Sequence, residues 1–72
     1  MKVVSSEAIY EENGDKYVSC QIYADTVPAT MPEPKDIPGY DNSFEFMAGS
    51  TMYIVTTGDI YMAGEDGNWH KQ

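Results

Sequence analysis

Two groups of carboxylates offer the first candidate chemistry. Glu11 and Glu12 flank the turn-forming Asn13-Gly14-Asp15, and Glu65-Asp66 precede Gly67. Paired carboxyls perform general acid–base catalysis when a shaped, partly dry site drives their pKa values apart. These two groups fall on turn tips, where water keeps carboxyls ordinary. Neither has the alternating oxygen ligands and distant glutamate of an EF-hand, although a weak calcium site stays open. Cys20 is the only cysteine and His70 the only histidine. A thiol nucleophile needs a base and a group that orients it. Cys20 lies in a strand-like run far from His70 in sequence, so the expectation is a small buried apolar residue. Gly58, Gly64 and Gly67 lack the Lys-Ser/Thr ending of a phosphate loop and read as turn glycines. No catalytic residue, cofactor or metal ligand is expected.

Aromatic side chains are the stronger resource. The chain holds six tyrosines, two phenylalanines and one tryptophan. Tyrosine suits half-buried strands and is enriched at protein interfaces. Tyr40 and Trp69 are the aromatics expected to touch a ligand, such as a sugar, if they share a groove.

These residues must be positioned by 72 residues, which fits one domain. A chain of this size buries only about 60% of its unfolded surface. One cysteine excludes an internal disulfide, and Cys20 with His70 cannot close a zinc site. That leaves an efficient core or oligomerisation. The formal net charge is −8, from 12 acidic and 4 basic residues. Such a charge opposes direct binding to nucleic-acid phosphates and to anionic membranes. It also permits imitation of nucleic acid against a basic protein groove. The apolar stretch after Met1-Lys2 is too short for a signal peptide, so a soluble cytoplasmic product is expected.

The pattern predicts an all-β fold of about five or six strands, an antiparallel meander or small sandwich with a long Pro-rich loop. Residues 1–25 read as a first hairpin. Residues 2–10 and 17–24 are rich in β-branched and aromatic types, and Asn13-Gly14 is a strong hairpin signal. A two-residue turn there pairs Glu11 with Lys16, Tyr10 with Tyr17 and Ile9 with Val18. Residues 26–43 contain all four prolines and read as an extended loop, with at most a turn of helix near Lys35-Asp36 or Asp41-Asn42. Residues 44–72 read as a meander: a short strand at 44–46, a strong one at 51–56, another at 59–63 and a last one at 69–71.

The pair of strands between Met52 and Ala63 is the most informative stretch. A two-residue Thr57-Gly58 turn pairs Val55 with Ile60 and Tyr53 with Met62 on one face. Ile54 with Tyr61 and Met52 with Ala63 occupy the other. Both faces are apolar, whereas an antiparallel ribbon in a small monomer usually keeps one wet face. Each large apolar side chain left bare forgoes about 1.5–3 kcal/mol of burial. The first hairpin is expected to cover one face, and the loop or a second subunit the other. Met52, Tyr53, Ile54, Val55, Ile60, Tyr61 and Met62 are therefore the candidate interface.

The runs Val27-Pro28-Ala29-Thr30-Met31-Pro32, Ile37-Pro38-Gly39, Phe46-Met47-Ala48-Gly49-Ser50-Thr51-Met52-Tyr53, Thr57-Gly58-Asp59-Ile60-Tyr61-Met62 and Gly64-Glu65-Asp66-Gly67-Asn68-Trp69 resemble small proteins encoded by phages and prophages of Gram-positive bacteria. The resemblance implies a virion-associated or assembly role in the host cytoplasm or the particle, and carries no functional residues over. Three functions follow as expectations: a self-associating structural protein contacting other virion proteins, an acidic inhibitor of a nucleic-acid-binding protein, and a sugar-binding module.

Overall fold

A computed structural model describes all 72 residues. The protein is all-β. Its elements are β1 (Lys2–Tyr10), β2 (Lys16–Ala24), β3 (Glu45–Phe46), β4 (Thr51–Ile54), β5 (Ile60–Ala63) and β6 (Trp69–Lys71), with a single 3-10 turn at Pro34–Asp36. They form one sheet in the order β1-β2-β4-β5-β6, and β3 pairs with β2 beside β4. No helix is long and apolar enough to cross a membrane.

The sheet is mixed rather than purely antiparallel, and it is a single sheet rather than a sandwich. β2 runs parallel to both β3 and β4. Parallel neighbours need a crossover of a dozen residues or more. The stretch between β2 and β4 is long enough to carry the chain back along the sheet, so β4 docks parallel to β2. The remaining ladders, β1–β2, β4–β5 and β5–β6, are antiparallel.

β2 organises the core. Val18, Cys20, Ile22 and Ala24 alternate onto one face and are all buried. Phe46, Met52, Ile54 and Ala63 join them from the neighbouring strands. The second layer is not another sheet but the Pro-rich segment, which inserts Ile37 at 0% exposure and packs Met31 and Tyr40 alongside. Local bonds hold that segment in shape. Glu33 N–H donates to the Asp36 carboxylate at 2.9 Å, and Lys35 N–H donates to Asn42 Oδ1 at 3.0 Å.

Both predicted tight turns differ from expectation. The first hairpin closes between Glu11 and Asp15, with Glu11 N–H donating to Asp15 O at 2.9 Å and Gly14 N–H to Glu11 O at 3.1 Å. Only Gly14 takes a positive φ, 92°, so the paired left-handed residues of the expected turn do not form. Asn13 instead accepts the Asp15 amide on its side chain at 3.2 Å. The register slips by one: Tyr10 faces Lys16, Ile9 faces Tyr17 and Ala8 faces Val18. A one-residue slip exchanges faces, so Ile9 leaves the core side and Ala8 takes its place. An irregularity between Val3 and Ser5 then restores Val3 opposite Ile22.

The second turn spans five residues. Ile54 N–H donates to Asp59 O and Gly58 N–H to Ile54 O, both at 2.8 Å. β4 stops at Ile54 because the chain stays tied to the end of β2: Val55 N–H donates to Ala24 O, and Thr56 Oγ1 to Asp25 O. Tyr53 therefore faces Ile60, Met52 faces Tyr61 and Thr51 faces Met62. This slip is by two residues, so each side chain keeps its expected face.

Candidate functional site

The two faces of the sheet have different fates. On the covered face, Met52 and Ile54 are fully buried and Tyr61 packs against the core. Of these three expected interface residues, Met52 and Ile54 belong to the core and Tyr61 is partly buried against it, a correction that follows from the Pro-rich segment packing on their side. On the opposite face Tyr53 is 37%, Val55 50%, Ile60 43% and Met62 37% exposed. The first hairpin covers neither face, because it extends the same sheet.

The open face extends beyond the predicted ribbon. β4 pairs with β2 so that Gln21 meets Thr51 and Tyr23 meets Tyr53. The two tyrosine rings meet edge-on, centroids 5.7 Å apart and planes at 62°. Gln21, Tyr23, Thr51, Tyr53 and Ile60 line a shallow depression of about 260 Å³. Tyr23 is the residue missed in the sequence. Its partner is a parallel strand 30 positions away, a contact that no short-range pattern announces.

Charge is absent from the middle of this face. Alternation places Ser19, Gln21, Tyr23, Thr51, Tyr53, Ile60 and Met62 on it, and ionisable groups appear at the margins, on Lys2 and Glu7 of β1, Glu45 of β3 and His70 of β6. In a chain of net charge −8, a neutral patch of tyrosine, methionine and isoleucine matches the charge-depleted, aromatic-enriched centre of a protein interface.

A second concavity, about 440 Å³, lies between the Pro-rich segment, β3 and the β5–β6 turn. It is lined by Met31, Pro32, Phe44, Phe46 and Trp69, together with Glu33, Asp66 and the stretch of β3 at Glu45. Trp69 and Phe46 rings lie 4.9 Å apart, and Trp69 Nε1 donates to Pro32 O at 3.2 Å. Trp69 thus reaches a groove, but Tyr40 does not line it. Tyr40 packs edge-on against Phe44 at 5.0 Å instead. The aromatic pair expected to share a groove is therefore split, with Phe44 between them.

Asp66 is more than a solvated turn acid. It accepts Asn68 N–H at 2.9 Å and the His70 ring Nε2 at 2.9 Å. The Asn68 amide, then His70, hold its carboxyl below the usual range. Asp41 is lowered likewise, by the Ser43 hydroxyl and then the Ser43 amide.

Cys20 and His70 are three strands apart, roughly 14 Å at the usual strand spacing. Burial raises the Cys20 thiol, with a smaller opposing effect from Ser50. Ser50, 2% exposed, sits where β3 and β4 leave a gap along β2. Its hydroxyl accepts Cys20 N–H at 3.1 Å and donates to Val18 O at 3.3 Å.

No known protein family, curated protein or solved structure matches this chain.

Proposed function

We propose that the protein is a non-catalytic assembly module that associates with itself through the open face of its sheet. One observation carries this reading: the face centred on Tyr23, Tyr53, Ile60 and Met62 is apolar, uncharged and uncovered in the single chain. The second layer of the fold is spent on the other side. Two copies stacked face to face complete a two-sheet arrangement about 10 Å between sheets, with the tyrosines interdigitated.

The resemblance of the turn and strand motifs to small phage proteins supports a phage particle, or its assembly in the host cytoplasm, as the setting. Other virion proteins are then further partners.

Sedimentation velocity across a concentration series tests the reading. The expected result is a concentration-dependent dimer or larger species. Repulsion between chains of charge −8 opposes association, so added salt should strengthen it. A monomer at the highest attainable concentration, in low and high salt alike, overturns the proposal.

A further inference from the structure

β1 stands at one end of the sheet order, with β2 as its neighbour. Its outer edge is therefore a row of backbone donors and acceptors. The β2 backbone fixes which residues of β1 supply them. Cys20 N–H donates to Ser50 Oγ at 3.1 Å, Val18 O accepts Met47 N–H at 2.9 Å, and Ala24 O accepts Val55 N–H at 2.8 Å. The even-numbered residues of β2 thus turn their backbone groups away from β1. In an antiparallel ladder the residues opposite them then point outward as well. Those residues are Val3, Ser6 and Ala8. We propose that this edge pairs antiparallel with the same edge of a second copy, in a register set by Lys2 and Glu7.

Lys2 and Glu7 are an odd number of positions apart, so a regular strand would put them on opposite faces. The irregularity between Val3 and Ser5, where the ladder skips Val4, changes this. Lys2 pairs with Tyr23 and Glu7 with Ser19, so both lie on the open face. A two-fold axis through Ser5, perpendicular to the sheet, sets Ser5 against its own copy, Val3 against Ser6 and Lys2 against Glu7. The last two pairs each occur twice. Val3 and Ser6 both point outward, so they exchange the backbone bonds, and every opposed pair shares a face. Sliding the strands by two positions sets Lys2 against Ile9. Sliding them by four sets Glu7 against Glu7. The first register alone satisfies both charges.

These charges are unspent within the chain. Of its four cations, Lys16 bonds Ser43 and lies over Phe44, Lys35 meets Glu33, and Lys71 meets Asp59. Lys2 has no such partner, and neither has Glu7. Opposite charges facing each other across a ladder stabilise it, and like charges weaken it. Charges on an edge also serve as guards against pairing. The two roles differ in sign, because altering a guard strengthens association. The edge contact is independent of the face contact proposed above. With both, copies link beyond the dimer.

Sedimentation equilibrium on Tyr53→Lys, which disables the open face, isolates the edge. The expected result is a dimer weaker than the wild-type species. Adding Glu7→Lys should weaken it about tenfold, although the chain becomes less negative. Lys2→Glu should act alike, and the double exchange should return the constant to within about threefold of the parent. In the wild type, exchange of the Ser6 amide should slow as concentration rises. Association of the Glu7→Lys chain as tight as the parent's, or tighter, overturns the proposal and marks the charges as guards. Failure of the double exchange to restore pairing also overturns it. A monomeric Tyr53→Lys chain with unslowed Ser6 exchange in an associating wild type overturns the edge contact and leaves the face contact standing. A wild type that stays monomeric overturns both.

Discussion

Tyr23 and Tyr53 face each other across the parallel β2–β4 ladder, ring centroids 5.7 Å apart, on the side of the sheet that nothing covers. An aromatic pair of this geometry adds about 0.5–1.5 kcal/mol beyond its area burial. Much of its surface still meets water in the single chain, at 43% for Tyr23 and 37% for Tyr53. The pair is thus a rigid, half-desolvated platform around which a second copy can close.

Tyr53→Lys places a charge at the centre of that platform without touching the core. The dissociation constant for self-association should rise at least about tenfold, or 1.4 kcal/mol. Circular dichroism should be unchanged. Sedimentation equilibrium checks it, and an unaltered constant removes Tyr53 from the interface.

Ser50→Ala should destabilise the fold by about 1–3 kcal/mol, the cost of leaving a buried amide unpaired. The amide is that of Cys20, whose N–H donates to Ser50 Oγ at 3.1 Å. Urea denaturation of the two proteins gives the difference. A loss below a few tenths of a kcal/mol means another acceptor takes over.

Ile37→Ala tests whether the Pro-rich segment is a true second layer. Ile37 is fully buried against the sheet. Truncating such a residue costs about 2–5 kcal/mol, whereas truncating one in a detached loop costs close to nothing. Thermal melting of wild type and variant distinguishes the two.

Acid should weaken the fold in a definite window. Asp41 and Asp66 have folded pKa values below their ordinary 3.8. Groups lowered on folding contribute stability that is complete above the unfolded pKa and is lost as pH falls through the folded one. Stability should therefore decline from about pH 4 downward. Asp66→Asn should flatten the decline in a series of urea melts at pH 2 to 5, with the remaining slope coming from other carboxylates such as Asp41.

Cys20 should resist labelling. It is 5% exposed and its thiol is raised by burial, so little thiolate forms near neutrality. Maleimide mass addition should be slow in buffer and immediate in denaturant. Fast native labelling indicates frequent opening of the β2–β4 ladder.

Much of the local structure was legible beforehand. All six strands coincide with runs that alternate apolar and polar or concentrate β-branched and aromatic residues, and the one 3-10 turn, Pro34–Asp36, lies at the first of the two places, Lys35-Asp36 and Asp41-Asn42, where a turn of helix was expected. These are short-range properties, set by side-chain alternation and by the backbone limits of proline and glycine. The faces of the Met52–Ala63 ribbon were also legible, because a slip of two residues preserves them.

The sequence by itself determined the strands, the places where the chain turns between them and a ribbon apolar on both faces. Tertiary structure decided which face was covered. The parallel return of β4 onto β2, the packing of Ile37 into the same core as Met52 and Ile54, and the meeting of Tyr23 with Tyr53 all join residues distant in the chain. Such contacts depend on the path of a long crossover, and local periodicity holds no record of that path.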